Sequence, residues 1–255
     1  MAGAEIQAAV CEQTLNLQQV LNSSGRFERL SLQAPHVLLD CSKSLWDETV
    51  LEALLQLAEE AGLAQRREAM YAGAVVNETE QRPALHVRLR APLAPQGCSM
   101  PEDECHVGLR AMLMVAQQLR EQARFTDVVH IGIGGSGLGP ELALQALQPW
   151  CDGGPRVRVV SNMDGHDLHQ ALQGLEPERT LFIVASKSWS TAETQRNMAS
   201  AKAWIGATGE LHWPDHFVAV SSREDLARQS GFTQTLHIPE GIGGRFSIWS
   251  AVGLP

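Results

Sequence analysis

Apolar and polar positions alternate between two patterns along the second part of the chain, from about residue 102. Short apolar runs typical of buried strands occur at Val128–Ile133, Val157–Val160, Leu181–Ala185 and Phe217–Val220. Apolar residues recur at helical spacing in Glu104–Ala123, Gly139–Leu147, Asp167–Leu172, Thr191–Ile205 and Arg223–Gln229. Because strands and helices alternate at βαβ spacing, the pattern predicts an α/β fold in which helices flank a parallel sheet. Such sheets bind ligands at the carboxyl ends of their strands, so the loops after the strands are the candidate sites.

The first hundred residues show a different pattern. Helical periodicity covers Glu5–Leu21 and Leu45–Ala61, and Ser44 is the predicted N-cap of the second helix. The alternation over Leu85–Leu89 predicts a short strand, and the proline-rich stretch Ala91–Pro101 predicts a loop.

These patterns predict two regions. We expect residues 1–101 to form a mainly helical segment with a short strand, followed by an α/β domain in residues 102–255. Ser247–Val252 has the pattern of the first turns of a helix. We therefore expect the α/β domain to be truncated at its C-terminal end and the chain to be part of a longer protein.

Composition narrows the class of protein. Apolar residues make up 44% and charged residues 19%, as in ordinary globular proteins. The net charge of −9 argues against a sequence-independent nucleic-acid binder. The five cysteines are odd in number and include no C-x-x-C pair, which argues against a disulfide scaffold or a zinc site and favours the cytoplasm. No apolar run approaches the ~20 residues of a membrane-spanning helix, and the N-terminus lacks the features of a signal peptide.

A glycine-rich motif, Gly132–Gly139, directly follows a predicted strand and opens a helix. Glycines let the backbone approach a ligand closely, and a helix N-terminus presents unpaired N–H groups to an anion. The spacing also meets the dinucleotide fingerprint G-x-G-x-x-G, but Val160-Ser161-Asn162 ends the second strand without the acidic residue that holds a ribose. A dinucleotide site and a tight turn without a ligand stay open as alternatives.

A hydroxyl-rich motif, Ser186–Thr191, lies between a predicted strand and a predicted helix. It holds four hydroxyls and the ammonium group of Lys187 within six residues. Short-range donors, one positive charge and a helix N-terminus are what a phosphate requires. The alternative, that Ser190 or Thr191 only caps the helix, accounts for one hydroxyl and not for four. The motif therefore favours a phosphate site.

A third motif, Glu240–Ser250, places Arg245 after a glycine pair and at the start of a predicted helix. An arginine stays charged and can stabilise negative charge on a reacting oxygen, although a surface arginine after a loop is the simpler alternative. The histidines are predicted to be structural. His166 and His169 are three positions apart but have no third ligand close in sequence, so no metal site is predicted.

The three motifs, in this order, resemble those of the glucose-6-phosphate isomerase family. The N-terminal part agrees with the same family at Leu39–Lys43, Arg66–Met70 and Asn77–His86. The resemblance covers nearly the whole chain, and the motif around Gly244 and Arg245 is its most specific part. It implies a sugar-isomerase (SIS) domain with a flavodoxin-like three-layer sandwich.

The resemblance also implies roles for single residues. Ser186, Lys187, Ser188 and Thr191 would hold the substrate phosphate, with Ser136 nearby. Gly135, Gly244 and Arg245 would face the reacting end of the sugar, where the arginine stabilises an enediolate. The implied activity is the interconversion of glucose 6-phosphate and fructose 6-phosphate in glycolysis and gluconeogenesis. The resemblance implies a cytoplasmic homodimer that needs no cofactor.

The chain departs from the family pattern in two ways. Gly137 stands where the family usually has Asp, Ser188 where Thr is common and Trp189 where Phe is common. The larger departure is that the Glu-Ser-Asn-Gly-Lys segment with the general base is not in the sequence, nor are the segments with the ring-opening histidine and the late lysine. Arg245 cannot replace the base because it stays protonated. We therefore expect the chain to bind sugar phosphate without isomerising it. A non-catalytic sugar-phosphate sensor is the alternative.

Overall fold

The computed structural model describes residues 16–93, 103–151 and 153–255. Its contacts divide the chain into two compact units, Met1–Ala69 and Met70–Pro255. This division falls well before the boundary predicted after residue 101, and that boundary itself lies outside the described residues. Residues 70–93 group with the sheet because Leu85 and Leu89 are buried in its apolar core.

The first unit contains short helices and one hairpin. Its elements are α1 (Leu17–Leu21), α2 (Arg26–Arg29), β1 (Ser31–Ala34), β2 (Val37–Asp40), α3 (Glu48–Glu60) and α4 (Leu63–Tyr71), which runs past the end of the unit. The predicted helix Glu5–Leu21 begins outside the described residues. The second predicted helix is confirmed as α3, but its N-cap is Asp47 and not Ser44, because the Asp47 carboxylate accepts the N–H of Val50 at 2.9 Å.

The second unit is built on a five-stranded parallel sheet. Its strands are β5 (Asp127–Gly132), β6 (Arg156–Val160), β7 (Thr180–Ala185), β8 (Phe217–Ser221) and β9 (Gln234–His237), in the spatial order β6-β5-β7-β8-β9. This is the flavodoxin-like order, so the α/β prediction is confirmed. Four strands were predicted; β9 was missed, because Gln234-Thr235-Leu236-His237 has no apolar run.

Helices cover both faces of the sheet. They are α5 (Glu104–Gln122), α6 (Gly135–Leu147), α7 (Gly165–Leu172), α8 (Ala192–Gly206) and α9 (Glu224–Gln229). Because neighbouring strand residues point to opposite faces, β5 sends Val128 into the core that includes α5 residues and Val129 into the core that includes α8 residues. The apolar runs of the sequence therefore fill two cores at once.

The segment 82–90 is not the strand predicted at Leu85–Leu89. The short strands β3 (Val75–Asn77) and β4 (Arg82–Pro83) pair with each other, and β4 ends before Leu85. A 3-10 helix then covers Arg88–Arg90. The N–H of Leu85 donates to the carbonyl of Gly241 at 2.9 Å, which takes the backbone away from β pairing. The alternation of apolar and polar residues over Leu85–Leu89 therefore reflects the burial of Leu85 and Leu89 and does not indicate a strand.

The last residues form 3-10 turns instead of the predicted helix. These turns cover Gly244–Trp249 and Ala251–Gly253. The hydroxyl of Ser247 donates to the Gly244 carbonyl at 2.7 Å, and that of Ser250 donates to the Ser247 carbonyl at 2.6 Å. These bonds tighten the chain at i→i−3 spacing. Within the described ranges, no helix has the length and apolar character needed to cross a membrane.

Candidate functional site

An open pocket of about 620 Å³ lies at the carboxyl edge of the sheet, where β5, β7 and β8 end. Three segments that follow these strands contribute to its wall, as expected for a parallel α/β sheet. The predicted site residues that line it are Gly135, Ser136, Ser186, Lys187, Ser188, Thr191 and Gly244. The structure thus brings together seven of the eight predicted residues, and Arg245 is not among the lining.

The glycine turn after β5 forms the first wall. The backbone of Gly134 has a φ of 58°, in the left-handed region that glycine adopts without strain. A Cβ atom on Gly135 would lie 2.2 Å from the carbonyl carbon of Gly244. The first and third motifs therefore touch backbone to backbone, and the contact is possible only because Gly135 lacks a side chain; a Cβ atom on Gly244 would lie 3.9 Å from Gly135 Cα, an ordinary contact.

The hydroxyl-rich loop after β7 forms the second wall. Thr191 is the N-cap residue of α8, and its Oγ1 accepts a hydrogen bond from Ser186 Oγ at 3.3 Å. Ser190 Oγ donates to Ser188 Oγ at 2.8 Å. Trp189 has a φ of 56° and its side chain is buried among apolar residues, so it anchors the loop while the neighbouring hydroxyls face the pocket. The hydroxyls thus form a row at the N-terminus of a 15-residue helix.

Lys187 connects the second motif to the third. Its Nζ donates to the carbonyl of Glu240 at 2.6 Å and to that of Ile242 at 2.9 Å. Burial lowers the pKa of Lys187, and the positive charge of Arg82 lowers it further. An ammonium that has lost part of its hydration is a strong partner for a phosphate.

Sequence reasoning missed several polar residues of the pocket. They are Glu80, Arg82, Thr194, Ser222 and Arg223, whereas Ser190 and Glu240, which also line the pocket, belong to the motifs found in the sequence. Arg82 and Glu240 face each other at 3.8 Å, and Arg223 pairs with Asp225 at 2.8 Å. Ser222 and Arg223 directly follow β8, so their position at the carboxyl edge was the signal that could have found them. Glu80 and Arg82 come from a segment far away in sequence, and the family resemblance of Asn77–His86 was the signal that could have found them.

Arg245 lies in the 3-10 turn beside the pocket. Its side chain is exposed and makes no hydrogen bond or ion pair with any residue that the structure describes. The next residue, Phe246, stacks on the ring of His86, with the ring centroids 4.2 Å apart. The backbone around Arg245 is therefore held by neighbours, while the guanidinium itself is free to reach a ligand.

The loop after β6 is where a dinucleotide-binding protein would place an acidic residue that holds the ribose. The Asp167 carboxylate accepts the backbone N–H groups of Ser161 and Asn162 at 3.1 and 2.9 Å. That carboxylate closes the loop after β6. In the part of the chain that the structure describes, no three His, Cys, Asp or Glu side chains are grouped to hold a metal ion.

Comparisons with known proteins agree with the geometry. Residues 40–255 match the family described as phosphoglucose isomerase. A glucose-6-phosphate isomerase of Methylibium petroleiphilum is 47% identical over 234 residues, which cover 90% of this chain and 42% of that protein. One of Albidiferax ferrireducens is 44% identical, over 91% of this chain and 46% of that protein. The crystal structure of a glucose-6-phosphate isomerase from Chlamydia trachomatis superposes with a TM-score of 0.83 at 31% identity, over 99% of this chain and 50% of that one. The chain therefore spans about half the length of the relatives it matches.

Proposed function

This chain belongs to the phosphoglucose isomerase family, and we propose that it supplies the phosphate-binding half of an enzyme that interconverts glucose 6-phosphate and fructose 6-phosphate. The observation that carries the proposal is the pocket at the carboxyl edge of the sheet. It gathers an ammonium group, a row of hydroxyls and a helix N-terminus, which are the groups that bind a phosphate.

Each predicted residue has a role in this proposal. Ser186, Ser188 and Thr191 donate to phosphate oxygens, and Lys187 supplies the charge. Ser136 is close enough to join them because it lines the same pocket. The phosphate thereby fixes one end of the sugar, and the carbons that react extend toward the glycine contact.

The reacting end of the sugar would lie beside Gly135 and Gly244. Isomerisation moves a proton between C1 and C2 through an enediolate, which carries negative charge on oxygen. Arg245 would stabilise that charge, since its guanidinium stays protonated and has no other described partner. Small residues at the glycine contact let the sugar approach the backbone closely.

A base that removes the C2 proton must lie within hydrogen-bond reach of it. We assign no such base to this chain, because the Glu-Ser-Asn-Gly-Lys segment of the family is not in its sequence. The full enzyme would need neither metal nor nucleotide and would act as a cytoplasmic homodimer. No contact among the described residues favours the alternative of a non-catalytic sugar-phosphate sensor.

Calorimetry with glucose 6-phosphate tests the phosphate site. Lys187→Gln should weaken binding by about ten- to a hundredfold, because a hydrogen bond to a charged group contributes about 1.5–3 kcal/mol. The matched control is Arg196→Gln, which removes one positive charge from the exposed face of α8, the helix that follows the Lys187 loop, outside the pocket.

Two results decide the test. Equal affinity of the Lys187 variant and the Arg196 variant would contradict the assigned phosphate site. Because Lys187 also bonds to two carbonyls, Ser186→Ala serves as a second variant that leaves those bonds in place. It should weaken binding by about three- to tenfold, the cost of one neutral hydrogen bond.

A further inference from the structure

A proline in α6 leaves one carbonyl of the glycine turn without its helical partner. Pro140 lies inside the helix and has no N–H group. In an α-helix that N–H would donate to the carbonyl four residues earlier, which is the carbonyl of Ser136. The first turn of α6 therefore lacks one of its hydrogen bonds, at the residue whose side chain lines the pocket.

The missing donor is replaced by a side chain from β5. His130 Nε2 lies 2.6 Å from the Ser136 carbonyl oxygen, and the imidazole is fully buried. Because a carbonyl oxygen only accepts, Nε2 carries the proton in this bond. The absence of a side chain on Gly132 keeps the path clear, since a Cβ there would lie 3.1 Å from His130 Nε2 and 2.5 Å from the Ser136 carbonyl oxygen.

His130 is poorly explained as a residue that only fills the core. Its neighbours on the strand, Val129 and Ile131, are fully buried apolar side chains. The second ring nitrogen, Nδ1, is buried and has no hydrogen-bond partner among the residues that the structure describes. A buried polar atom without a partner costs about 1–3 kcal/mol, so an apolar side chain would be the better filler. The bond to Ser136 offsets that cost.

We propose that His130 is a positioning residue for the sugar-phosphate pocket: its ring N–H takes the place of the backbone donor that Pro140 removes. By holding the Ser136 carbonyl, it fixes the first turn of α6, from which Gly135 and Ser136 face the ligand. The identity of the ligand in this inference rests on the proposed function, whereas the hydrogen bond between His130 and Ser136 is independent of it.

Three variants isolate the bond. His130→Leu removes the donor and keeps an apolar side chain of similar reach. His130→Gln keeps a donor, because its amide nitrogen is as many bonds from the backbone as imidazole Nε2. His130→Leu combined with Pro140→Ala restores the helical N–H to the Ser136 carbonyl, and Pro140→Ala alone is its reference.

The first readout needs no ligand. Amide hydrogen exchange should be about three- to tenfold faster at Gly137 and Leu138, in the first turn of α6, in His130→Leu than in the parent chain. His130→Gln should exchange as the parent does, and Pro140→Ala should cancel the effect of His130→Leu. Faster exchange throughout the sheet, not cancelled by Pro140→Ala, would show a purely structural role and overturn the proposal.

The second readout is the dissociation constant for glucose 6-phosphate. It should rise about three- to tenfold in His130→Leu and return toward that of Pro140→Ala in the double variant. Unchanged affinity in His130→Leu, with tight binding by the parent chain, would overturn the positioning role. If the parent chain itself fails to bind glucose 6-phosphate, the proposed function fails, and the exchange experiment still decides whether His130 holds the turn.

Discussion

At the scale of single residues, the site depends on the side chains that are missing as much as on those present. Gly135 and Gly244 meet backbone to backbone, at a distance that leaves no room for a Cβ atom on Gly135. Gly137 is equally constrained, since a Cβ there would lie 2.3 Å from the Gly132 carbonyl oxygen. The structure thus gives a local reason for glycine at position 137, where the family usually has Asp.

Gly135→Ala should disrupt this contact. We expect it to lower the free energy of unfolding by about 1–3 kcal/mol, because the new methyl group meets backbone atoms that cannot rotate away. Urea unfolding measures the change. The control is Gly206→Ala, at the end of α8, where a Cβ meets nothing within 4 Å and where alanine should be neutral or slightly stabilising. Equal stability of the two variants would contradict the close contact.

His130 should make stability depend on pH. Burial lowers its pKa from 6.5 to about 4, so between these values the unfolded chain binds the proton and the folded chain does not. Stability should therefore be full above pH 6.5 and fall by up to about 3 kcal/mol as the pH drops toward 4. Urea unfolding of the parent chain and of His130→Gln at pH 7 and pH 5 isolates the contribution of His130. An equal decrease in the free energy of unfolding of the two proteins between these pH values would refute the prediction.

At the scale of elements, two segments hold the loop of the third motif. Lys187 bonds to the carbonyls of Glu240 and Ile242, while the segment 82–90 packs against the same loop. In that segment His86 stacks on Phe246, and Arg90 lies over the ring of Trp249 at 5.6 Å. Residues that look like a strand in the sequence thus act as a support for Gly244 and Arg245.

Removing the stacking should loosen that support. His86→Ala should lower the free energy of unfolding by about 0.5–1.5 kcal/mol, the stabilisation expected of an aromatic pair, while His86→Phe should retain it. Hydrogen exchange should quicken at the amides of residues 244–247 in the alanine variant. His169→Ala, which removes an exposed imidazole from α7, is the control and should change neither measurement.

Elements that are determined by a local sequence pattern could be predicted, and elements that are determined by contacts between distant segments could not. The parallel strands and their helices follow from local apolar patterns. The support by residues 82–90 and the strand β9 depend on contacts with segments far away in sequence, which a local pattern does not contain. The same is true of the site: Ser186–Thr191 was found from its own composition, whereas Arg82 reaches the pocket only through the fold.

At the scale of the whole molecule, the pocket joins segments from residue 80 to residue 244. All of them belong to the unit Met70–Pro255, so the pocket lies within one compact body. Every contributing loop follows the carboxyl end of a parallel strand or packs beside a loop that does. Each motif could be recognised from the sequence, but the contacts between the motifs could not.

The purified 255-residue chain should bind sugar phosphate and show no turnover of fructose 6-phosphate. The reason is chemical: in the proposed function the pocket binds the phosphate and Arg245 stabilises the enediolate, but no base is assigned to the C2 proton. A coupled assay that detects glucose 6-phosphate measures this, with a full-length relative as the positive control. Turnover above the background of a Lys187→Gln preparation would refute the assignment.

The contact between the glycine turn and the third motif has a consequence for folding. Ser247 reaches back across 112 positions to the carbonyl of Gly135. Closing so large a loop costs entropy that is recovered only when the strands between the two ends have paired. During synthesis on a ribosome, the glycine turn would lack its contact with the third motif until residue 247 has emerged. Binding of a ligand in the pocket would then require a folded sheet, because only chains whose sheet is finished have both walls.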